Sequence, residues 1–334
     1  MEQMKKLADE KKREEGRYYT LGDPFDGHPE FVRWASSLPA SATVVEPFAG
    51  ACHLVGHLRR NGVMNKVDAF DVAPAAANQL GMAVAQRDTL SDFPQGYGAV
   101  VTNPPYLSRS SATRMGVAFP KGTKAGDLYE LALEKSLAAS PKVAAVIPGS
   151  FVSSPRFRER LVAVIELREG LFGDTDHPTC LALFDEKPTG DYAIWQGRTR
   201  LGMASELNKR LPVAVASTNW AFNDPKGSIG LRALDDSSGE SIAFVAGEAV
   251  PAGVVKTTSK AVTRISGLPC GVDAAAVIAR ANELFRAWRS ATGGALICPF
   301  KGKRRRLGFG MAKHFLNAAL MSLAANDATY RQAA

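Results

Sequence analysis

Cysteine is scarce in this chain of 334 residues, and the four present, Cys52, Cys180, Cys270 and Cys298, stand far apart with no CxxC pair. That spacing argues against a disulfide framework or a cysteine-built metal site, and it fits a reducing, cytoplasmic setting. Histidine is equally thin. His28, His53, His57 and His314 show no paired spacing and read as structural or surface residues, so no metal is expected. Long apolar runs are missing, since no stretch approaches the roughly 20 residues of a membrane-spanning helix. The opening MEQMKKLADEKKREEG is charged throughout and lacks the apolar core of a signal peptide. Acidic residues are rare late in the chain. From Pro251 onward three of them face thirteen Lys and Arg, while the whole chain carries a formal charge of +8. The basic charge therefore belongs to one segment, which is either a polyanion-binding surface or an ordinary solvated one.

What is present is an alternation. Apolar runs at 43–45, 66–70, 98–102, 143–147, 161–166 and 180–184 read as buried parallel strands, with helices at 53–61 and 127–139 between them. This pattern predicts an α/β fold, a doubly wound Rossmann-like sheet. After about residue 191 the pattern loosens into a Gly, Asn, Asp and Ser-rich stretch. It is followed by the alternating SIAFVAGEAV and helix-like text at 272–291. The expected organisation is a polar extension at 1–15, a large domain at 16–195 and a smaller basic domain at 196–334, in a chain read as a monomer.

The most informative motif is Asn103-Pro104-Pro105-Tyr106, directly after the apolar run AVVT. An adenine amine is a poor nucleophile because its lone pair is delocalised into the ring. Two acceptors, the Asn103 side-chain carbonyl and the Pro104 backbone carbonyl, would draw it towards a tetrahedral form and free the lone pair to attack a sulfonium methyl group. The prolines stiffen the loop, and Tyr106 offers a face on which a flipped base can stack. Upstream, VVEPFAGAC has the form strand, acidic residue, small-residue loop, helix. The small residues Ala49 and Gly50 let the backbone approach a ligand, and Glu46 suits an ammonium. Asp71, followed by Val72, ends the next strand, where a carboxylate can accept from both ribose hydroxyls. Asp88 can accept from an adenine amine. Each of these aspartates also reads as a cap or turn residue.

On these residues the chain resembles the gamma-type adenine-N6 methyltransferases of DNA found in restriction–modification systems and phages. Gly16-Arg17-Tyr18-Tyr19-Thr20 looks like the family's N-terminal cofactor motif, and Asp127-Leu128-Tyr129 and Ile147-Pro148-Gly149-Ser150-Phe151 are also typical. The resemblance implies S-adenosylmethionine as cofactor, held by Tyr18, Tyr19, Thr20, Glu46, Phe48, Ala49, Gly50, Asp71, Val72, Asp88 and Asn103. It also implies a catalytic Asn103–Tyr106 loop and a C-terminal target-recognition domain. In GLFGDTDHPTCLALF it places an aromatic on the other face of the flipped adenine: Phe172, with His177 as the second candidate. Cys52 departs from the family, standing where a second glycine is usual, and Leu21 replaces a common proline.

The implied partners are double-stranded DNA and a cognate restriction endonuclease. Lys301, Lys303, Arg304, Arg305 and Arg306 form a cluster fit to neutralise phosphates, and Arg109, Arg114, Lys121 and Lys124 would lie beside the target base. Other readings stay open at this point. One is transfer to cytosine N4, ribosomal RNA adenine or protein glutamine. Another is an inactive DNA-binding subunit with the same fold.

Overall fold

The apolar runs pair as strands. The computed structural model describes residues 20–168, 170–172, 177–187, 189–215, 218–256, 259–302 and 304–326. The extension at 1–15, Tyr18, Tyr19 and Lys303 lie outside the described residues. The chain divides into two compact units, Met1–Arg200 and Leu201–Ala334.

In the first unit, Val44–Glu46 (β1), Val67–Asp71 (β2), Ala85–Gln86 (β3), Ala99–Thr102 (β4) and Lys142–Pro148 (β5) lie parallel. β4 is buried at every residue, as a strand covered on both faces must be. The helices include Pro29–Ser36 (α1), His53–Arg60 (α2), Arg109–Met115 (α3) and Leu128–Ala139 (α4). Asp127 caps α4, accepting from the Tyr129 N–H.

Two further strands depart from the all-parallel expectation. Leu161–Glu166 (β6) and Thr179–Phe184 (β7) pair antiparallel, and β7 also pairs antiparallel with β5, so it inserts between its two neighbours. The physical reason is the connection. A parallel return needs a crossover helix, and no helix is present among the described residues between β6 and β7. With Ala193–Gln196 (β8) and Thr199–Met203 (β9) the order is β3-β2-β1-β4-β5-β7-β6-β8-β9. Each of the six expected strands lies within one residue of its predicted range. The fold is an α/β, doubly wound, Rossmann-like sheet.

The second unit opens near the short helix Ala204–Lys209 (α5). Its antiparallel sheet is built from Ala221–Phe222 (β10), Ile229–Arg232 (β11), Ala243–Ala246 (β12) and Val262–Ser266 (β13), ordered β10-β13-β11-β12. Ala274–Thr292 (α6) and Phe309–Asn326 (α7) supply the aromatic core, where Phe285 and Trp288 each meet Phe315 at 5.4 Å between ring centroids. Cys298–Pro299 (β14) and Arg305–Arg306 (β15) make a small hairpin. One buried carboxylate ties these pieces together. Asp235 receives a two-pronged bond from Arg289 at 2.9 and 2.7 Å, and accepts from the Arg305 and Ser241 backbone N–H groups at 3.0 and 2.9 Å. Burial alone would raise its pKa, but Arg289 and the backbone donors hold it below the usual carboxylate range.

Candidate active site

Strand order reverses at β1, which pairs with β2 on one side and β4 on the other. The connections leave such a sheet in opposite directions and open a crevice beyond the strand C-termini. A cavity of about 480 Å³ lies there. It gathers Glu46 from the end of β1, Phe48, Ala49 and Gly50 from the loop after it, Asp71 and Val72 from the end of β2, Asp88, and Asn103, Pro104 and Pro105 after β4. Thr20 lines it as well, so every described residue of the predicted cofactor set meets in one place. Sequence reasoning missed His53, Leu54, Ala73, Thr89, Leu90, Leu107, Val117, Ala118 and Leu128, which complete the wall. Most are ordinary apolar residues whose position only the fold reveals.

The acidic loop is held by its own carboxylates. Asp71 Oδ2 accepts from the Gly50 N–H and Oδ1 from the Ala73 N–H, both at 2.9 Å. Glu46 Oε1 accepts from the Phe48 N–H at 3.1 Å, while Glu46 Oε2 is buried without a hydrogen-bond partner. Burial pushes the Glu46 carboxyl up to about 8, with the Asp71 charge adding to the effect. Cys52 has φ 60° and ψ 22°, the left-handed conformation for which glycine is the usual choice. Its thiol is pushed up to about 11 by burial, then by Glu46 and Asp71, and is therefore unreactive. Asp88 is exposed and accepts from the Leu90 N–H at 3.1 Å and from the Ser91 hydroxyl at 2.6 Å, so it caps a turn at the cavity wall.

Asn103 is gripped from two sides. Its Nδ2 donates to Thr20 Oγ1 at 2.9 Å, and its Oδ1 lies 2.6 Å from the Tyr106 hydroxyl, which also faces the Val146 carbonyl at 2.8 Å. This departs from the expectation for Tyr106: the ring is buried at 8% exposure and does not line the cavity, and it is the hydroxyl that meets Asn103. Phe172 is buried too, and it meets Tyr106 edge to face, centroids 6.3 Å apart at 84°. Phe172, like Tyr106, does not line the cavity. Three of the histidines are hydrogen-bonded inside the protein. Nε2 of His28, His57 and His314 each faces a backbone carbonyl, at 3.1, 3.1 and 2.8 Å.

Several predicted DNA contacts are engaged elsewhere. Arg109 Nη2 donates to the Thr123 and Ala125 carbonyls at 2.9 and 3.0 Å, and its guanidinium lies 4.4 Å from the centre of the Phe119 ring. It fastens the loop that carries Val117 and Ala118 into the cavity wall. Arg114 donates to Ser111 Oγ at 3.3 Å, and Lys121 and Lys124 are exposed. In the second unit Arg305 is buried and donates to the Ile297 carbonyl at 3.2 Å, so it is not a phosphate contact. Arg306 faces the Cys298 sulfur, Arg304 stacks over Phe300 at 5.2 Å, and Lys301 is exposed at the hairpin tip.

No protein-family model matches the chain, and no curated protein matches it. Among solved structures it is similar to the type I restriction-modification system methyltransferase subunit from Streptococcus thermophilus, with 17% identity over 53% of this chain and 47% of that one and a TM-score of 0.39. A second is the type IIG restriction endonuclease BpuSI, at 14% identity over 53% of this chain and 27% of that one, TM-score 0.38. A third is the M protein of the type I restriction enzyme EcoKI, at 11% identity over 99% of this chain and 74% of that one, TM-score 0.41. The chain thus spans about half the length of the first and a quarter of the second.

The end of the Asn103 loop is met by a half-buried carboxyl, the α4 cap Asp127. Asp127 Oδ1 accepts from the Leu107 and Tyr129 N–H groups at 3.1 and 3.2 Å, and burial pushes its pKa up to about 6. A raised pKa means stability that is full below the unfolded value near 4 and lost as pH rises through about 6. Asp127→Asn keeps the acceptor without the charge. Its stability relative to the wild type should climb by about 2–3 kcal/mol between roughly pH 4 and pH 7. Asp127→Ala loses the cap and should cost about 0.5–2 kcal/mol at acid pH, where the wild-type carboxyl is neutral. Urea denaturation across that range measures both, and a flat difference for the asparagine variant refutes the account.

Proposed function

We propose that this protein is an S-adenosylmethionine-dependent DNA methyltransferase acting on the N6 amine of a flipped-out adenine. The observation that carries the reading is that Asn103 and Pro104 line the same cavity as Glu46 and Asp71. An amine-polarising loop and a pair of carboxylates for an ammonium and a ribose thus share one space, of a size within the roughly 300–1,000 Å³ of small-molecule sites. The cofactor fits the residues present. The partnerless Glu46 Oε2 suits the ammonium of its methionine part, Asp71 stands where a ribose would bind, and Ala49 and Gly50 leave room for close approach. When bound, it supplies an electrophilic sulfonium methyl group.

This chain's own residues then prepare the nucleophile. Asn103 Oδ1 and the Pro104 carbonyl accept the amine hydrogens and free the lone pair. Because Thr20 and Tyr106 already fix the amide, little reorganisation accompanies the reaction. No side chain of matched pKa is required to take the proton, since methylation makes the amine strongly acidic. The second unit supplies the duplex contacts in this reading, with the Lys301–Arg304 hairpin tip among them.

The direct test is Asn103→Ala. Methyl transfer from tritiated cofactor to amplified genomic DNA should vanish, while calorimetric binding of the demethylated cofactor stays near wild type. Retained transfer would falsify the assignment.

Glu46 supplies a second test. Its carboxyl is largely protonated at pH 7 in the free protein, and an ammonium ligand requires the anion. Binding of the demethylated cofactor at pH 7 should therefore release about one proton, and affinity should tighten as pH rises towards about 8. Calorimetry in buffers of different ionisation heat reads this, and Glu46→Gln should abolish the release. A pH-independent affinity in the wild type is the result that removes Glu46 from the ammonium site.

A third test addresses the duplex. Replacing Lys301 and Arg304 by alanine should weaken binding to cognate and scrambled duplexes alike. It should also flatten the slope of log affinity against log salt by roughly 0.9 per lost contact. Fluorescence anisotropy over several salt concentrations measures it, and an unchanged slope and affinity would move the DNA face elsewhere.

A further inference from the structure

The contact between Asn103 Nδ2 and Thr20 Oγ1 joins residues 83 apart in sequence at 2.9 Å. It matters because of how Asn103 must work. A side-chain amide held at one end turns about its last torsion, and its oxygen then leaves the target amine. Held at both ends, by Thr20 on the nitrogen and Tyr106 on the oxygen, its plane is fixed.

Thr20 has its own supports, and they lead to α2. The Thr20 backbone bridges Phe172, and its carbonyl receives a hydrogen bond from His57 Nε2 at 3.1 Å. The tautomer of His57 follows from its neighbours. A carbonyl only accepts, so Nε2 carries the proton. Arg60 Nη2, which only donates, lies 2.6 Å from Nδ1, so Nδ1 is bare. The imidazole is therefore neutral, and burial, with the Arg60 charge, holds its pKa below the usual histidine range against the bond to the Thr20 carbonyl and the pull of Asp23 at 3.7 Å. One turn along, Asn61 Nδ2 donates to Asp23 Oδ2 at 2.8 Å, and Asn61 Oδ1 accepts from the Gly27 N–H at 2.7 Å. The end of α2 thus grips the 20–27 segment at Thr20, Asp23 and Gly27.

We propose that Thr20 is a positioning residue for Asn103, and that His57 acts through the Thr20 carbonyl to hold the amide plane. The inference rests on the reading of Asn103 as the acceptor of the target amine. It differs from a cofactor contact for Thr20 in what it predicts: loss of the hydroxyl acts on turnover and leaves cofactor affinity alone. His57 serves by polarity, as a buried donor–acceptor pair in one ring, and takes no part in proton transfer.

The experiment compares Thr20→Val, Thr20→Ser, His57→Leu and His57→Gln. Valine keeps the shape of threonine without the hydroxyl, and glutamine keeps a donor and an acceptor without a titrating ring. Two readouts are taken: hydrogen exchange of the Asn103 side-chain amide by NMR, and steady-state transfer to amplified genomic DNA. Thr20→Val and His57→Leu should expose the amide to faster exchange and lower kcat by about 10–100-fold, the scale of an ångström-sized misplacement. Binding of the demethylated cofactor should stay within about twofold of wild type. Thr20→Ser and His57→Gln should recover both readouts, which simple unfolding of the leucine variant does not allow. Unchanged exchange in Thr20→Val, or faster exchange with unchanged kcat, overturns the proposal, as does lost cofactor affinity with kcat intact. A wild-type protein that transfers no methyl group defeats the proposed function instead, and the exchange readout then decides the positioning on its own.

Discussion

Parallel pairing on both sides of β1 is the constraint on which the site depends. Because strand order also reverses at β1, the connections on its two sides run over opposite faces of the sheet and leave a gap beyond its C-terminus. Glu46, Asp71 and Asn103 each stand at or just after the C-terminal end of a strand, and residues so placed converge without any contact between them in sequence. The small-residue loop then has to turn sharply into α2. Asp71 makes that possible by taking the Gly50 N–H, and Cys52 accepts a left-handed backbone at the turn. Strain of this kind costs of order 1–3 kcal/mol and persists only where the surroundings over-determine it.

Charged and polar side chains that read as outward-facing are used inward here. Arg109, Arg305, Asp235 and His57 close loops, seat a hairpin and hold a carbonyl. Arg109, Arg305 and His57 bond to backbone carbonyls and Asp235 to Arg289 and backbone N–H groups, and where the site is buried, as at Asp235 and Arg289, breaking one bond strands its mate without water. The basic composition of the second unit is therefore part scaffold and part surface. Lys301 at the hairpin tip belongs to the second class, and Arg305 two residues beyond Lys303 belongs to the first.

Much of the large sheet was legible because buried strands are written as short apolar runs, and the Asn-Pro-Pro-Tyr loop followed one directly. Direction was not legible. β6 and β7 look like any buried parallel strands, since burial on both faces erases the alternation that marks a half-exposed antiparallel strand. α3 was missed because RSSATRM has no apolar stripe, and only Ala112 in it is buried. α7 was missed for the opposite reason, being apolar around much of its circumference. At the site, residue types named the carboxylates and the amide, whereas the bonds of Tyr106, Thr20 and Arg109 depend on distances the sequence does not carry.

The central place of β7 bears on how the chain reaches this state. β1 to β5 can pair as soon as residue 148 is available, yet the outer edge of β5 has no neighbour until residues 179–184 arrive. Through that interval an unpaired, wholly apolar row from Val143 to Ile147 faces outward, an open template for any other strand. The hairpin of β6 and β7 must close and dock before the edge is sealed. Assembly of the sheet is then a race between that docking and self-association. Crowded synthesis favours the second, and the speed with which β6 and β7 come together decides the outcome.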